Sequence, residues 1–200
     1  MNTLRIVRYA LWALVVLLLV GVGLVFYLRE TGEGPLIANA IRAESFSLVD
    51  QHGAPVTEEA LKGHPSAMFF GYTFCPDVCP TTLYDMTGLM EQLGPDADKL
   101  KVYFVTVDPE RDTQEVLAEY LSAFDPRFIG LTGSREEIDK IIAAYRVYAR
   151  KVEREKGPYL MDHTAVVYLL DDEGALTGTL DYQQAPETAL PKLQRLIGSS

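Results

Sequence analysis

The hydrophobic pattern of the chain changes character at residue 29. Tyr9 to Leu28 is an unbroken run of 20 uncharged residues. As a helix it would measure about 30 Å, the thickness of a bilayer's hydrocarbon core. Trp12 near one end and Tyr27 near the other suit the aromatic belts of membrane interfaces, and Gly21 and Gly23 are ordinary there. Residues 29–40 are small, polar and Gly/Pro-bearing, which reads as a linker. Residues 41–200 carry shorter, alternating patterns of a folded domain.

Within that domain the elements follow one another regularly. Phe46–Val49 and Pro55–Thr57 flank the turn signal Asp50-Gln51-His52-Gly53. Ala67–Tyr72 is a short apolar run of buried-strand type. A helix is expected from Pro80 to Leu93, with Pro80 at its first position and Cys79 at its cap. Lys101–Val107 reads as a strand ended by Asp108-Pro109, since proline cannot donate to a ladder. Asp112 is expected to cap a helix with Glu115 three residues on, and Val116, Leu117, Tyr120, Leu121 and Phe124 supply its apolar face. Phe128–Leu131 is a third strand. Ser134 and Glu137 form a second capping box, before a helix bearing Ile138, Ile141, Ile142 and Tyr145. Ala165–Leu170 and Leu176–Asp181 make a hairpin around 171–175, and Pro186–Ile197 is a last helix containing Pro191. The order is β-hairpin, βαβαβα, β-hairpin, α. It implies an α/β protein whose helix-linked strands are parallel and whose late hairpin is antiparallel. A thioredoxin-like fold with an N-terminal β-hairpin, preceded by one transmembrane helix, fits this order.

Charge orients the anchor. Arg5 and Arg8 precede the apolar run, while Arg29 is followed by Glu30 and Glu33. The positive-inside rule then keeps residues 1–8 cytoplasmic and sends the domain across. Ala38 and Ala40 form a possible signal-peptide cleavage pattern, but the run exceeds a usual h-region and the pattern lies well beyond it. An uncleaved anchor is therefore the favoured reading. No Arg/Ser-rich presequence comes first, so a bacterial inner membrane with a periplasmic domain is the simplest location. The first 29 residues hold three arginines and no acids, leaving 15 basic and 28 acidic residues beyond them. A domain so acidic repels nucleic acid and anionic surfaces, and suits a cation or a basic partner.

The candidate chemistry lies in Gly71-Tyr72-Thr73-Phe74-Cys75-Pro76-Asp77-Val78-Cys79-Pro80. It follows a buried strand and opens a helix, the edge at which open α/β sheets bind ligands. Cys75 and Cys79 are the chain's two cysteines. A structural disulfide is one reading, but so short a loop gains little from closure. Closely spaced cysteines more often do redox or metal chemistry. Thiolates near a helix N-terminus are soft donors that favour Cu(I), and zinc accepts them too. Two sulfurs leave a third ligand to be found among His52, His64 and His163. His52 and His64 lie in turn signals and read as solvated. His163 precedes an apolar strand at the place where a thioredoxin-like loop faces the active-site cysteines; that loop normally carries a cis-proline, and here the nearest proline upstream is Pro158.

G-Y-T-F-C-P-D-V-C-P, then V-D-P-E-R-D-T, then D-H-T-A-V-V-Y-L-L resembles the Sco/SenC family of copper proteins over roughly residues 41–197. The resemblance implies assembly of the binuclear copper site of cytochrome c oxidase, with Cys75, Cys79 and His163 as copper ligands. It implies the oxidase copper subunit as partner, together with an upstream copper donor or thiol reductant. Phe74 stands where many relatives carry histidine. Asp162 either orients His163 or is a turn residue; Asp108 either shapes the loop beside the site or ends its strand; Asp77 reads as exposed. Met86 and Met90 read as core, Met161 as a less favoured ligand, and the charged run 150–156 as a solvated hairpin or loop.

Three functions follow in order. The first is a copper metallochaperone, and the second a thiol-disulfide oxidoreductase cycling Cys75 and Cys79 to reduce the oxidase's copper-ligand cysteines. The third is a sensor, for which the sequence offers no output module.

Overall fold

The structure, a computed structural model, describes residues 3–30, 41 and 45–198. The chain divides into two compact units, Met1–Ile37 and Ala38–Ser200. The first contains helix α1, Thr3–Glu30, of 28 residues. Its described apolar side chains from Leu11 to Val20 are exposed. Among the described residues, no helix is long and apolar enough to cross a membrane. Side chains at 10, 22 and 24–30 are outside that description, so the anchor expected over 9–28 lies partly outside the described residues. Arg29 and Glu30 are helical, and the rest of the expected linker also lies outside them.

The second unit is built on a seven-stranded sheet. Its strands are β1 (Ser47–Asp50), β2 (Pro55–Thr57), β3 (Ser66–Gly71), β4 (Lys101–Thr106), β5 (Phe128–Thr132), β8 (Val167–Leu170) and β9 (Leu176–Leu180). A separate two-stranded sheet pairs β6 (Ala149–Val152) with β7 (Leu160–His163). The helices are α2 (Val78–Leu93), α3 (Gln114–Leu121), α4 (Arg135–Ala144) and α5 (Pro186–Gly198). Strand order is β2-β1-β5-β4-β3-β8-β9. The helix-linked pairs β3·β4 and β4·β5 are parallel and the hairpin β8·β9 is antiparallel, as the element order implied; β8 also runs antiparallel to β3, which that order did not imply.

Every residue of β3 is buried, which is why it reads as an unbroken apolar run rather than an alternating one. Phe69 pairs in register with Phe104, and Phe70 packs on Tyr145 and Tyr168. Met86 and Met90 are core residues, as expected. Gly71 ends β3 beside Thr106, so the cysteine segment leaves from the carboxyl edge of an inner strand, next to the central β4.

Three local expectations need correction. Helix α2 begins at Val78, not Pro80, so Cys79 lies inside the first turn and Asp77 is the cap residue. Proline is tolerated there because first-turn N–H groups have no intrahelical acceptor. Helix α3 is capped by Thr113, whose hydroxyl accepts from the Val116 N–H, while Asp112 is fully buried and engaged elsewhere. The Ser134 box is half formed: its hydroxyl accepts from the Glu137 N–H, but Glu137 Oε2 receives the Ser47 N–H.

Candidate metal centre

Cys75 sits on the loop after β3, where its N–H reaches the Tyr72 carbonyl at 3.3 Å. Cys79 is fully buried in the first turn of α2. The Asp77 side chain makes no capping hydrogen bond; the Cys79 N–H instead points to Cys75 Sγ at 3.4 Å. The Cys75 sulfur thus takes the place of a capping oxygen, facing the positive end of a helix.

His163 arrives from the other sheet. It is the last residue of β7, paired with Ala149 across the hairpin. Its Nε2 lies 3.4 Å from Cys79 Sγ, although 84 residues separate them. Its Nδ1 lies 2.9 Å from the Thr164 carbonyl, so the ring donates there and its Nε2 side faces the sulfurs. Phe69 and Tyr72 meet the imidazole edge-on, with centroids 6.0 and 5.8 Å away.

The three donor atoms lie within 4.8 Å of one another. Bonds of about 2.3 Å to sulfur and about 2.0 Å to nitrogen, typical of a first-row ion such as zinc, put donors roughly 3.5–4 Å apart around a shared centre. Both cysteines are free, and the arrangement needs only small side-chain adjustments to close on one ion.

The two sulfurs are electrostatically unlike. The Cys79 thiol beside it, then the His163 ring and the N–H groups of Asp77 and Cys79, draw the Cys75 thiol down to about 4, against a burial effect that pushes it up. Cys79 is driven far above the usual thiol range, first by its bond to Cys75 and then by burial. The pair therefore holds one thiolate, on the half-buried Cys75, and one proton, on Cys79.

Asp112 fixes the segment from behind. Its carboxylate accepts from the Thr73 hydroxyl at 2.6 Å, the Thr73 N–H at 3.1 Å and the Thr106 hydroxyl at 2.6 Å. Burial lifts its pKa, and those same donors hold it back. The Asp112–Glu115 spacing suggested a capping box, but the structure assigns the cap to Thr113.

Other expected residues fall into place or away. His52 is exposed, His64 is half-buried in its loop, and neither joins the group. Asp77 and Asp162 are exposed, and the contact given to His163 Nδ1 comes from Thr164 rather than Asp162. Asp108 is fully buried, accepting from the Tyr159 hydroxyl at 2.8 Å and pairing with Arg111. Met161 is core. Sequence reasoning missed Arg111, Tyr159 and Thr164; only the V-D-P-E-R-D-T stretch hinted at the first.

A mixed sheet with a Cys-Cys-His donor group at its carboxyl edge defines a thioredoxin-like metal-binding protein. The chain belongs to the SCO1/SenC family, which its residues 36–198 match. A SCO2-like protein of Rickettsia felis is 40% identical over 172 residues, covering 80% of this chain and 84% of that protein. Among solved structures, Bradyrhizobium japonicum ScoI with copper bound is 47% identical with a TM-score of 0.72, covering 78% of this chain and 99% of that one. Arabidopsis thaliana ScoI with copper bound is 35% identical with a TM-score of 0.74, covering 80% and 100%.

Proposed function

We propose that this protein is a membrane-anchored copper carrier that holds one copper ion between Cys75, Cys79 and His163 and delivers it to the binuclear site of cytochrome c oxidase. The observation that carries the reading is the convergence of two sulfurs and one imidazole nitrogen within 4.8 Å. Two thiolates and a neutral imidazole are a soft set that suits trigonal Cu(I); Cu(II) would add a water or a carboxylate. The copper-bound state of family members such as B. japonicum ScoI supports this choice of cargo.

Loading displaces the Cys79 proton, because thiols bind as thiolates. Release needs no catalytic base. Cys75 is half-buried between exposed Phe74 and exposed Pro76 and Asp77, so an incoming donor can exchange against it first. The oxidase copper subunit is the receiver, and a copper donor or thiol reductant acts upstream. The anchor rests on the 20-residue uncharged run and the arginines before it. With that orientation the domain lies in the periplasm of a bacterial inner membrane.

The unequal sulfurs also favour a second reading. Cys75 as thiolate can attack a client disulfide, and Cys79 can then close on Cys75, giving the client two electrons and the Cys79 proton while this pair becomes a disulfide; the client's other released thiolate takes its proton from water. Copper titration of the detergent-solubilised chain separates the two. With Cu(II), a sulfur-to-copper charge-transfer band at one equivalent is expected in the wild type and lost in His163→Ala, with dithiol redox intact. Equal copper affinity in wild type and His163→Ala would remove the three-ligand site.

A further inference from the structure

The His163-bearing hairpin belongs to neither edge of the main sheet, so beyond its covalent link to β8 its position over the cysteines depends on side chains. We propose that Arg111 is the positioning residue that fastens this hairpin to the cysteine segment, and so sets the distance between His163 and the two sulfurs. The proposal rests on the copper reading of the site.

Arg111 reaches both halves. On the hairpin side, its Nη1 donates to the Tyr159 carbonyl at 3.0 Å, and its guanidinium carbon lies 3.6 Å from the Tyr159 ring centroid. Tyr159 immediately precedes β7, whose far end is His163. On the cysteine side, the same guanidinium lies 4.7 Å from the Phe74 ring and 5.7 Å from the Tyr72 ring. Phe74 adjoins Cys75 and is 51% exposed, so a half-solvated ring is held against the cation beside the ligand.

Asp108 anchors the arrangement to the end of β4. Its carboxylate accepts from Arg111 Nε with one oxygen and from the Tyr159 hydroxyl with the other. Its own N–H donates to the Thr106 hydroxyl at 2.9 Å, and its carbonyl receives the Arg111 and Asp112 N–H groups. Arg111 is 16% exposed, and its Nη2 is out of water with no hydrogen-bond partner among the described residues. Aromatic faces are what remain for that end of the fork, and a delocalised planar cation suits them. Lys151, on β6, also approaches Tyr159, at 4.0 Å from its centroid, but it comes from the hairpin itself and cannot tie it to anything else. Likewise the Thr164 N–H donates to the Tyr148 carbonyl and the Tyr148 N–H to the Thr164 hydroxyl, which closes the hairpin internally. Tyr72, whose hydroxyl meets the Met161 backbone, is a further cross-tie and belongs to the same aromatic group. The V-D-P-E-R-D-T stretch thereby gains a division of labour: Asp112 holds the cysteine segment, and Asp108 with Arg111 holds the histidine.

The test uses Arg111→Lys, which keeps the charge facing Asp108 but loses the planar fork. Tyr159→Leu is the second variant; it removes the ring on which Arg111 lies and the hydroxyl that Asp108 accepts, and leaves Arg111 itself in place. Amide hydrogen exchange is measured on the reduced, copper-free full chain. Exchange in Ala149–Val152 and Leu160–His163 is expected to quicken about tenfold, the scale of a lost partly buried cation–π contact, with β3 and β4 unchanged. Cu(I) affinity by chelator competition should fall about tenfold in Arg111→Lys, yet less than about twofold when the same change is made in His163→Ala. Unchanged hairpin exchange, exchange quickened equally in every strand, or equal affinity losses in both backgrounds would each overturn the proposal. Wild-type protein that holds no Cu(I) would defeat the copper reading instead, while the exchange arm still decides the clamp.

Discussion

Gly71 and Cys79 occupy adjoining space: a Cβ on residue 71 would lie 3.0 Å from the Cys79 sulfur. It would also lie 2.8 Å from the Phe104 ring and 3.0 Å from the Phe69 ring. None of these is the free end of a flexible side chain. Gly71→Ala should therefore push Cys79 away from His163 and cost about 1–3 kcal/mol as overpacking. Denaturation midpoint and Cu(I) competition should both fall. Gly88→Ala is the control, because nothing lies within 4 Å of its added Cβ on α2; it should stabilise by up to about 1 kcal/mol. An unaltered copper affinity in Gly71→Ala would contradict the close approach.

Asp112 should matter through the Thr73 and Thr106 donors it satisfies. Asp112→Ala strands one N–H and two hydroxyls in a buried place, which costs about 1–3 kcal/mol per stranded group that finds no water. Asp112→Asn retains one acceptor and should lose less. Urea denaturation of the reduced, copper-free chain measures both. A loss in Asp112→Ala no larger than that of an exposed substitution such as Asp96→Ala would refute the role.

The cysteine pair predicts a two-sided pH dependence of the copper-free protein. Cys75 is held down to about 4, below the unfolded thiol value of about 8.5. Its contribution is fully present above about pH 8.5 and is lost as pH falls toward 4. Cys79 is shifted the other way, so its contribution is present below about pH 8.5 and is lost as pH rises above it. Stability from the pair should therefore peak near pH 8.5. Iodoacetamide should label Cys75 at a rate nearly flat from pH 8 to 6 and falling toward pH 4, with Cys79 protected. A Cys75 rate that climbs tenfold per pH unit through neutrality would show an ordinary thiol.

The proposed anchor over residues 9–28 predicts that the whole chain stays in the membrane pellet through an alkaline carbonate wash. A chain lacking residues 1–28 should appear in the soluble fraction with copper binding unchanged. Release of the whole chain by carbonate would dismiss the anchor.

Much of the molecule was legible along the chain, because the deciding patterns are local. The buried run of β3, the Ile138–Ile141 face of α4 and the turn at 171–175 each depend on residues a few positions apart. The cysteine spacing and the prolines likewise marked where chemistry would sit. The start of α2 was misread because proline statistics say nothing of a sulfur that receives the Cys79 N–H. The partner of a buried polar group was also illegible. Asp112 reaches Thr73 across 39 positions, Tyr159 reaches Asp108 across 51, and Cys79 meets His163 across 84. By itself the sequence determined the order of elements and the kinds of donor atom available. Only the tertiary structure decided which donors meet, since that depends on how a mixed sheet and a detached hairpin bring distant backbone to one edge.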